Sequence, residues 1–397
     1  MRPPKQKRPL SVPILMMLAS FASVSAVLFT PALPEIRMKL QMSQAQVQLT
    51  MTAFLIGYAL GNLPYGPIAN RFGRKPAIYL GGLIAVIGCL LIVLVNSREL
   101  FWLFILGRFL MAIGSAVGMK VAFTMVGDVC DQTEATRKIS SFIYAFALGP
   151  CAAIAIGGAL TLHFGWQSCF YLLAGYSLLV CLLSALLPET LAERDTKALN
   201  FVKIKEGYLE KFRNKKLISC ALIMGCMSAI TYLFATEAPF IGIEEIGLTP
   251  YAYGLLTFIP AMGMIVGSLI TRLLAGKKDP LVVMHWGSLL SVFISLLMLV
   301  LFLFEQVSVW TLFIPMPFLY VGFTFLFSNA SALAMFHAKD KSNASSVMNF
   351  INMGMAVVAL FFIEIIPIDK PYLLPLLFIV FALATLLLRR RLASLRA

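Results

Sequence analysis

The sequence predicts an all-α polytopic membrane protein, with about twelve transmembrane helices in two bundles of six and both termini in the cytoplasm. Composition is the first reason. Of 397 residues, 60% are apolar and only 13% charged, and the mean hydropathy is +0.89. A soluble fold of this length has no interior large enough for that much apolar surface. Spacing is the second reason: charged residues cluster between apolar runs of about twenty residues, the length that crosses about 30 Å of hydrocarbon. The third is where the cations fall. With twelve crossings and a cytoplasmic start, 26 of the 32 Lys and Arg residues lie on the cytoplasmic side. Four lie on the other (Arg37, Lys39, Arg98, Lys370), and this bias is what orients membrane helices.

The runs lie near 11–33, 45–66, 76–95, 100–127, 138–161, 166–187, 217–240, 252–275, 281–304, 308–336, 343–366 and 371–388. The first follows the basic start MRPPKQKRP without an A-x-A-like cleavage site, so it reads as an uncleaved span. The last is closed on the inside by the arginines at 389–391. The longest polar stretch, 188–216, begins PETLAERD and ends KFRNKK. It separates an N-terminal bundle, 1–187, from a C-terminal bundle, 217–397. Two bundles joined by a charged cytoplasmic linker suit a rocking transporter that holds cargo between them near the midplane. The net charge of +14 sits at helix ends and does not mark a nucleic-acid binder. The seven cysteines are scattered through apolar runs without a metal-type pair, as small packing residues are.

Two stretches stand out. GPIANRFGRKP, Gly66 to Pro76, places Arg71, Arg74 and Lys75 within five residues, and its glycines and prolines forbid one continuous helix. GPCAAIAIGG, 149–158, lacks large side chains, so it permits close helix approach, and Pro150 predicts a kink. It is either a packing face or a functional hinge, and its place in the fifth span favours the hinge.

Together with TPALPEI at 30–36, LGRFLMAIGSAVG at 106–118 and LPETL at 187–191, these stretches resemble the major facilitator superfamily. Within it they resemble the Bcr/CflA-like bacterial exporters of the drug:proton antiporter branch. The resemblance spans nearly the whole chain, thinning in the second half to APF at 238–240 and NASSVMNFINMG at 343–354. It implies a multi-pass protein of the bacterial inner membrane, exporting a small molecule in exchange for protons, monomeric and without a cofactor. It also implies roles. Gly66, Arg71, Gly73 and Arg74 resemble a loop that latches the cytoplasmic ends of the bundles. Arg108 resembles the fourth-span arginine tied to proton coupling, and Gly149, Pro150, Gly157 and Gly158 the fifth-span antiporter motif. The chain departs from that pattern at Asn70, where an Asp is usual, at Ile154, Asn62 and Met111, and in lacking an acid before TPALP.

Ionisable groups within spans are expensive and therefore functional candidates. Arg108, about 13 Å into the fourth span from Glu99, stays charged and can hold an anion or a carboxylate, or be satisfied by backbone carbonyls. Lys120 either snorkels towards the cytoplasm or lines the cavity. Tyr58, Asn62, Tyr144, Asn349 and Asn352 are the remaining polar candidates for cargo. Glu237 and Glu364 read as rim residues, and Asp128 is expected to meet Arg137 and Lys138. Two intramembrane cations without an intramembrane acid raise an alternative cargo, an anionic metabolite such as a polycarboxylate siderophore. A non-transporting receptor or membrane enzyme is the reading from another class, but the chain has no P-loop, H-E-x-x-H, nucleophile elbow or CxxC.

Overall fold

The computed structural model describes residues 10–130, 132–195, 198–304, 307–336, 341–365 and 370–395. Among them the regular structure is entirely helical. The long helices are α1 (Val12–Val27), α2 (Gln44–Gly61), α3 (Arg74–Val93), α4 in two pieces (Phe101–Ser115 and Val117–Val129), α5 (Gln132–Phe164) and α6 (Gln167–Ser184). After the linker come α7 (Lys215–Pro239), α8 in two pieces (Pro250–Leu256 and Phe258–Leu274), α9 (Pro280–Leu303), α10 (Pro315–Phe336), α11 (Lys341–Ile365) and α12 (Leu373–Ser394). Ten stretches are long and apolar enough to cross a membrane. Helices α2 and α5 stand at the second and fifth expected positions without being among the ten: α2 opens on the polar run QAQVQ, and the apolar part of α5 is Leu148–Phe164.

Breaks fall where the backbone loses donors or needs an unusual torsion. After α1 the prolines of TPALP lack N–H groups, and the chain passes through a 3₁₀ turn, Thr30–Ala32, into the short helix Leu33–Lys39. The Gly66–Pro76 stretch folds as helix Tyr65–Phe72 followed directly by α3. Pro67 and Pro76 each occupy a first turn, where no N–H is needed, and Gly73 makes the corner. Its φ of +118° excludes a side chain, and a Cβ there would lie 2.7 Å from the Glu189 carboxylate. Several starts are capped by side chains: Ser43 and Gln46 form a capping box on α2, and Asn214, Thr249 and Asp279 accept backbone N–H groups opening α7, α8 and α9.

Before the linker, α3 packs on α4 and α6, α2 on α4, and α1 on α5. After it, α7 packs on α11 and α12, α9 on α10 and α12, and α8 on α10. The two halves of the chain meet along α2 with α11 and along α5 with α8. The end carrying Arg74 and Arg389 is called the basic end below, and the end carrying Arg37 and Glu244 the far end.

Candidate functional site

Two adjoining cavities lie between the halves. The central one encloses ≈ 250 Å³ and is lined by Tyr58 of α2, Pro150 of α5, Tyr232 of α7, Tyr320 of α10, and Asn349 and Asn352 of α11. Phe54, Phe323 and Met353 add to an otherwise apolar wall. Asn352 is buried, and its Oδ1 has no hydrogen-bond partner among the described residues. The second cavity, ≈ 510 Å³, lies towards the basic end and is more polar: Asn62, Lys120, Thr124, Ser331, Ser345 and Ser346 line it. Met119, Phe327 and Asn349 belong to both cavities and form their common wall. No Asp or Glu lines either one among the described residues.

Lys120 does line a cavity, and it also crosses between the halves. Its Nζ donates to the Asn62 carbonyl at 2.9 Å and to Ser346 Oγ on α11. Its stem lies against Gly66, where a Cβ would meet Cε and Nζ at 3.2 Å. Asn62 in turn donates its Nδ2 to Tyr58 O at 2.8 Å, so its carbonyl is presented to Lys120 from a fixed helix end. Tyr208, on the linker helix Phe201–Phe212, donates to Leu63 O at 3.0 Å. These contacts sit at the basic end beside the larger cavity.

The far end is closed. Gly157 faces the backbone of Leu28 and Gly158 that of Pro250, so closely that a Cβ at either would overlap a carbonyl oxygen. Across the same seam a Cβ on Gly254 would lie 2.7 Å from Ala155 Cα. Gly149 is different, since a Cβ there would meet only Ser20 and Val24 at ordinary contact distances. The seam therefore depends on Gly158, and the packing of α5 against the chain after α1 on Gly157, in a way that neither depends on Gly149. Arg37 pairs with Glu244 at 2.6 Å, joining the short helix after α1 to the turn after α7. Glu237, expected at the rim, is instead buried, 1% exposed. Helix α7 does not stop at Pro239 but runs on through a π-helical turn, Phe240–Glu245, which sets Glu237 below the surface. There its two oxygens accept hydrogen bonds from Gln44 (3.2 Å) and Gln48 of α2.

Arg108 lines neither cavity. It is fully buried, and its guanidinium donates to the carbonyls of Ser25 (3.1 Å), Ala26 (3.3 Å) and Thr50 (3.3 Å). It lies over the rings of Phe29 and Phe54, 4.0 and 4.5 Å from their centroids. Carbonyl dipoles and ring quadrupoles thus surround the charge. In the gating-loop motif, Arg74 is likewise held by the first half and the start of the linker. Arg74 pairs with Asp128 (3.0 and 3.3 Å) and donates to Asn70 Oδ1 (2.7 Å), while Glu189 accepts the N–H groups of Arg74 (2.9 Å) and Lys75 (3.0 Å) that open α3. Asp128 also accepts from Thr190 at 2.7 Å. The side chains of Tyr144, Arg137 and Glu364, and the whole of Asp131 and His337, lie outside the described residues.

Three of the sequence candidates, Tyr58, Asn349 and Asn352, therefore meet at the central cavity with Pro150, and Asn62 and Lys120 meet at the second. Sequence reasoning passed over Tyr232, Tyr320, Ser346 and the Gln48–Glu237 pair. Aromatic residues in apolar runs look the same in sequence whether they pack or line a cavity, and the other two depend on contacts between distant helices.

Residues 15–362 match the family described as Major Facilitator Superfamily. A protein named Multidrug transporter MdfA from Edwardsiella piscicida is 31% identical over 278 residues, 68% of this chain and 66% of that protein. The chain thus spans just under two thirds of that relative's length. A Bicyclomycin resistance protein homolog from Haemophilus influenzae is 24% identical over 88% of this chain and 86% of its own length. Among solved structures, the xylose transporter XylE from E. coli, described as partially occluded and inward open, superposes with a TM-score of 0.75 at 12% identity. That superposition covers 95% of each chain.

Proposed function

Because the chain belongs to the Major Facilitator Superfamily, a superfamily of multi-pass membrane transporters, we propose that it exports drug-sized small molecules from the cytoplasm by alternating access. The observation that carries this is the pair of cavities between the halves, sealed at the far end by the Gly158–Pro250 seam. A chamber walled by tyrosine, phenylalanine and methionine accepts varied apolar cargo, and Asn352 and Asn349 supply the few polar contacts that orient it. Relatives named for multidrug transport and bicyclomycin resistance support the same reading.

In this proposal the chain crosses the inner membrane twelve times as two six-helix bundles, 1–187 and 217–397. The bundles are joined by the linker 188–216, and both termini are cytoplasmic. The cation bias supports this orientation and makes the basic end cytoplasmic, so the conformation faces inward. The protein works as a monomer in the bilayer, and protons moving inward drive export. Arg108 fixes the packing of α1, α2 and α4 rather than touching cargo.

A second reading keeps the transport and changes the cargo to an organic anion of the polycarboxylate class. Lys120 in the larger cavity, with no carboxylate in either lining, supports it. The deciding experiment uses everted membrane vesicles with an acid interior and a pH-sensitive dye. Proton release on adding ethidium is the expected result, and release with citrate alone transfers the proposal to the second reading. Silence with both, in vesicles containing the protein, defeats proton-coupled export.

A further inference from the structure

Glu237 is the one buried acid among the described residues, and no part of the export cycle above uses it. It sits on α7 at the closed far end, and its partners Gln44 and Gln48 belong to α2, in the other half of the chain. Any opening of the far end that separates α2 from α7 must break both hydrogen bonds and admit water to the carboxyl. We propose that Glu237 is a proton-binding site that holds the far end closed when occupied and releases it when empty. This rests on the alternating-access reading proposed above.

The chemistry follows from burial. A carboxylate loses its hydration when the seam closes and recovers it when the seam opens, whereas the neutral acid loses far less. Opening at high pH leaves the carboxylate in water; a proton arriving from the far side forms an O–H bond on one oxygen and permits closure. Turning the Gln48 side-chain amide by 180° presents its oxygen to that new O–H, so the neutral acid is fully paired in the seam.

The charged groups nearby leave Glu237 as the group that titrates with closure. The π-helical turn contributes Glu245, whose field reaches Glu237, and Glu244, which is paired to Arg37. The short helix after α1 contributes the Glu35–Lys39 pair at 2.6 Å. Gln44 and Gln48 are the neutral groups presented by α2, and the 3₁₀ turn Thr30–Ala32 has no ionisable side chain. Helix α10 carries no acid or cation, only the phenol of Tyr320, and the cations of α12 and of the linker helix lie at the basic end. Of α11, Lys341 lies at the basic end, and the Glu364 side chain is outside the described residues.

The test is hydrogen–deuterium exchange of the full chain in lipid nanodiscs between pH 6 and pH 8, corrected for intrinsic exchange. Peptides covering 28–50 and 236–256 report the seam. One linked proton changes the open-to-closed ratio by up to about tenfold per pH unit, so wild-type exchange in these peptides is expected to rise with pH. E237Q, an uncharged stand-in for the protonated acid, is expected to exchange slowly at both pH values. E237D, which still titrates, is expected to keep the rise with a displaced midpoint. A wild type flat in pH, an E237Q protein that still responds, or an E237D protein with an unmoved midpoint overturns the proposal. The E237D arm decides if E237Q does not fold. Counterflow of ethidium in proteoliposomes without a pH gradient is measured alongside. Counterflow with a flat exchange profile sinks the Glu237 site and spares the export reading, while pH-dependent exchange without counterflow does the reverse.

Discussion

The two ends of the seam between the halves are built on opposite principles. At the far end backbone meets backbone: Gly158 against Pro250 and Gly254 against Ala155, with Glu237 threaded between glutamines. At the basic end the halves touch through a long side chain, Lys120 to Ser346, with Tyr208 of the linker reaching Leu63 nearby, around a cavity of ≈ 510 Å³. Backbone contact is short-ranged and tolerates no inserted atom, so the far end behaves as a two-position joint. A lysine reaching across a cavity can yield gradually, and its ammonium can exchange Ser346 for a guest. In the proposed cycle one end would set which state is populated, and the other would meet what is carried.

The sharpest way to break this contrast is Gly158→Leu. Overpacking of this kind costs about 1–3 kcal/mol, or ~5- to 150-fold in a two-state ratio. Exchange at the far end should rise by that factor and export should fall with it; unchanged exchange would mean that the seam is not what holds the far end shut. Lys120→Met probes the other end. Losing hydrogen bonds from a charged donor is worth about 1.5–3 kcal/mol. The variant should therefore raise KM for an anionic probe such as citrate by about tenfold or more. Ethidium transport should stay within about twofold, and equal losses for both would make Lys120 a structural tie. Asn352→Leu removes the unpaired acceptor in the central cavity, with an expected rise in ethidium KM of about threefold to tenfold from a lost bond of roughly 0.5–1.5 kcal/mol. A KM that did not change would take Asn352 off the cargo path. Asn70→Asp is the smallest change. It adds a charge beside Arg74, which already holds Asp128, so the gain should be at most about 1 kcal/mol of stability by thermal unfolding. Far-end exchange should be unaltered, because Asp128 and Asn70, which hold the Arg74 guanidinium, both lie within the first half.

The helical, membrane-spanning nature of the chain was legible because it is a property of runs, and runs survive without knowing what touches what. The break at Gly73 was legible for a related reason, since proline and glycine act on the backbone locally, whereas the break at TPALP fell inside a run read as one span, 11–33. Burial at span ends was not legible either. Counting residues puts Glu237 at a rim, and only the continuation of α7 through Phe240–Glu245, with Gln44 and Gln48 of α2 bonded to its carboxylate, takes it inside. Arg108 shows a different limit. Its position in mid-span was plain, yet its partners are carbonyls of Ser25, Ala26 and Thr50, and every residue has a carbonyl. The polar cavity residues fell between these cases. Asn349 and Asn352 stood out as amides in an apolar run, whereas Tyr232 and Tyr320 did not.

The setting of Arg108 also fixes an electrical property of the cycle. A guanidinium does not lose its proton under working conditions, and this one is tied to helices of a single half, away from both cavities. With no acid in either lining among the described residues, the charge crossing the membrane in each turnover of the proposed proton-coupled cycle would be the charge of the cargo less that of the protons exchanged for it. A monocation traded for one proton moves no net charge, and a neutral molecule traded for one proton moves a single charge inward. An anion expelled against one inward proton moves more than one. Current and protons recorded together per molecule exported would therefore read out the cargo's valence, with no label on the cargo at all.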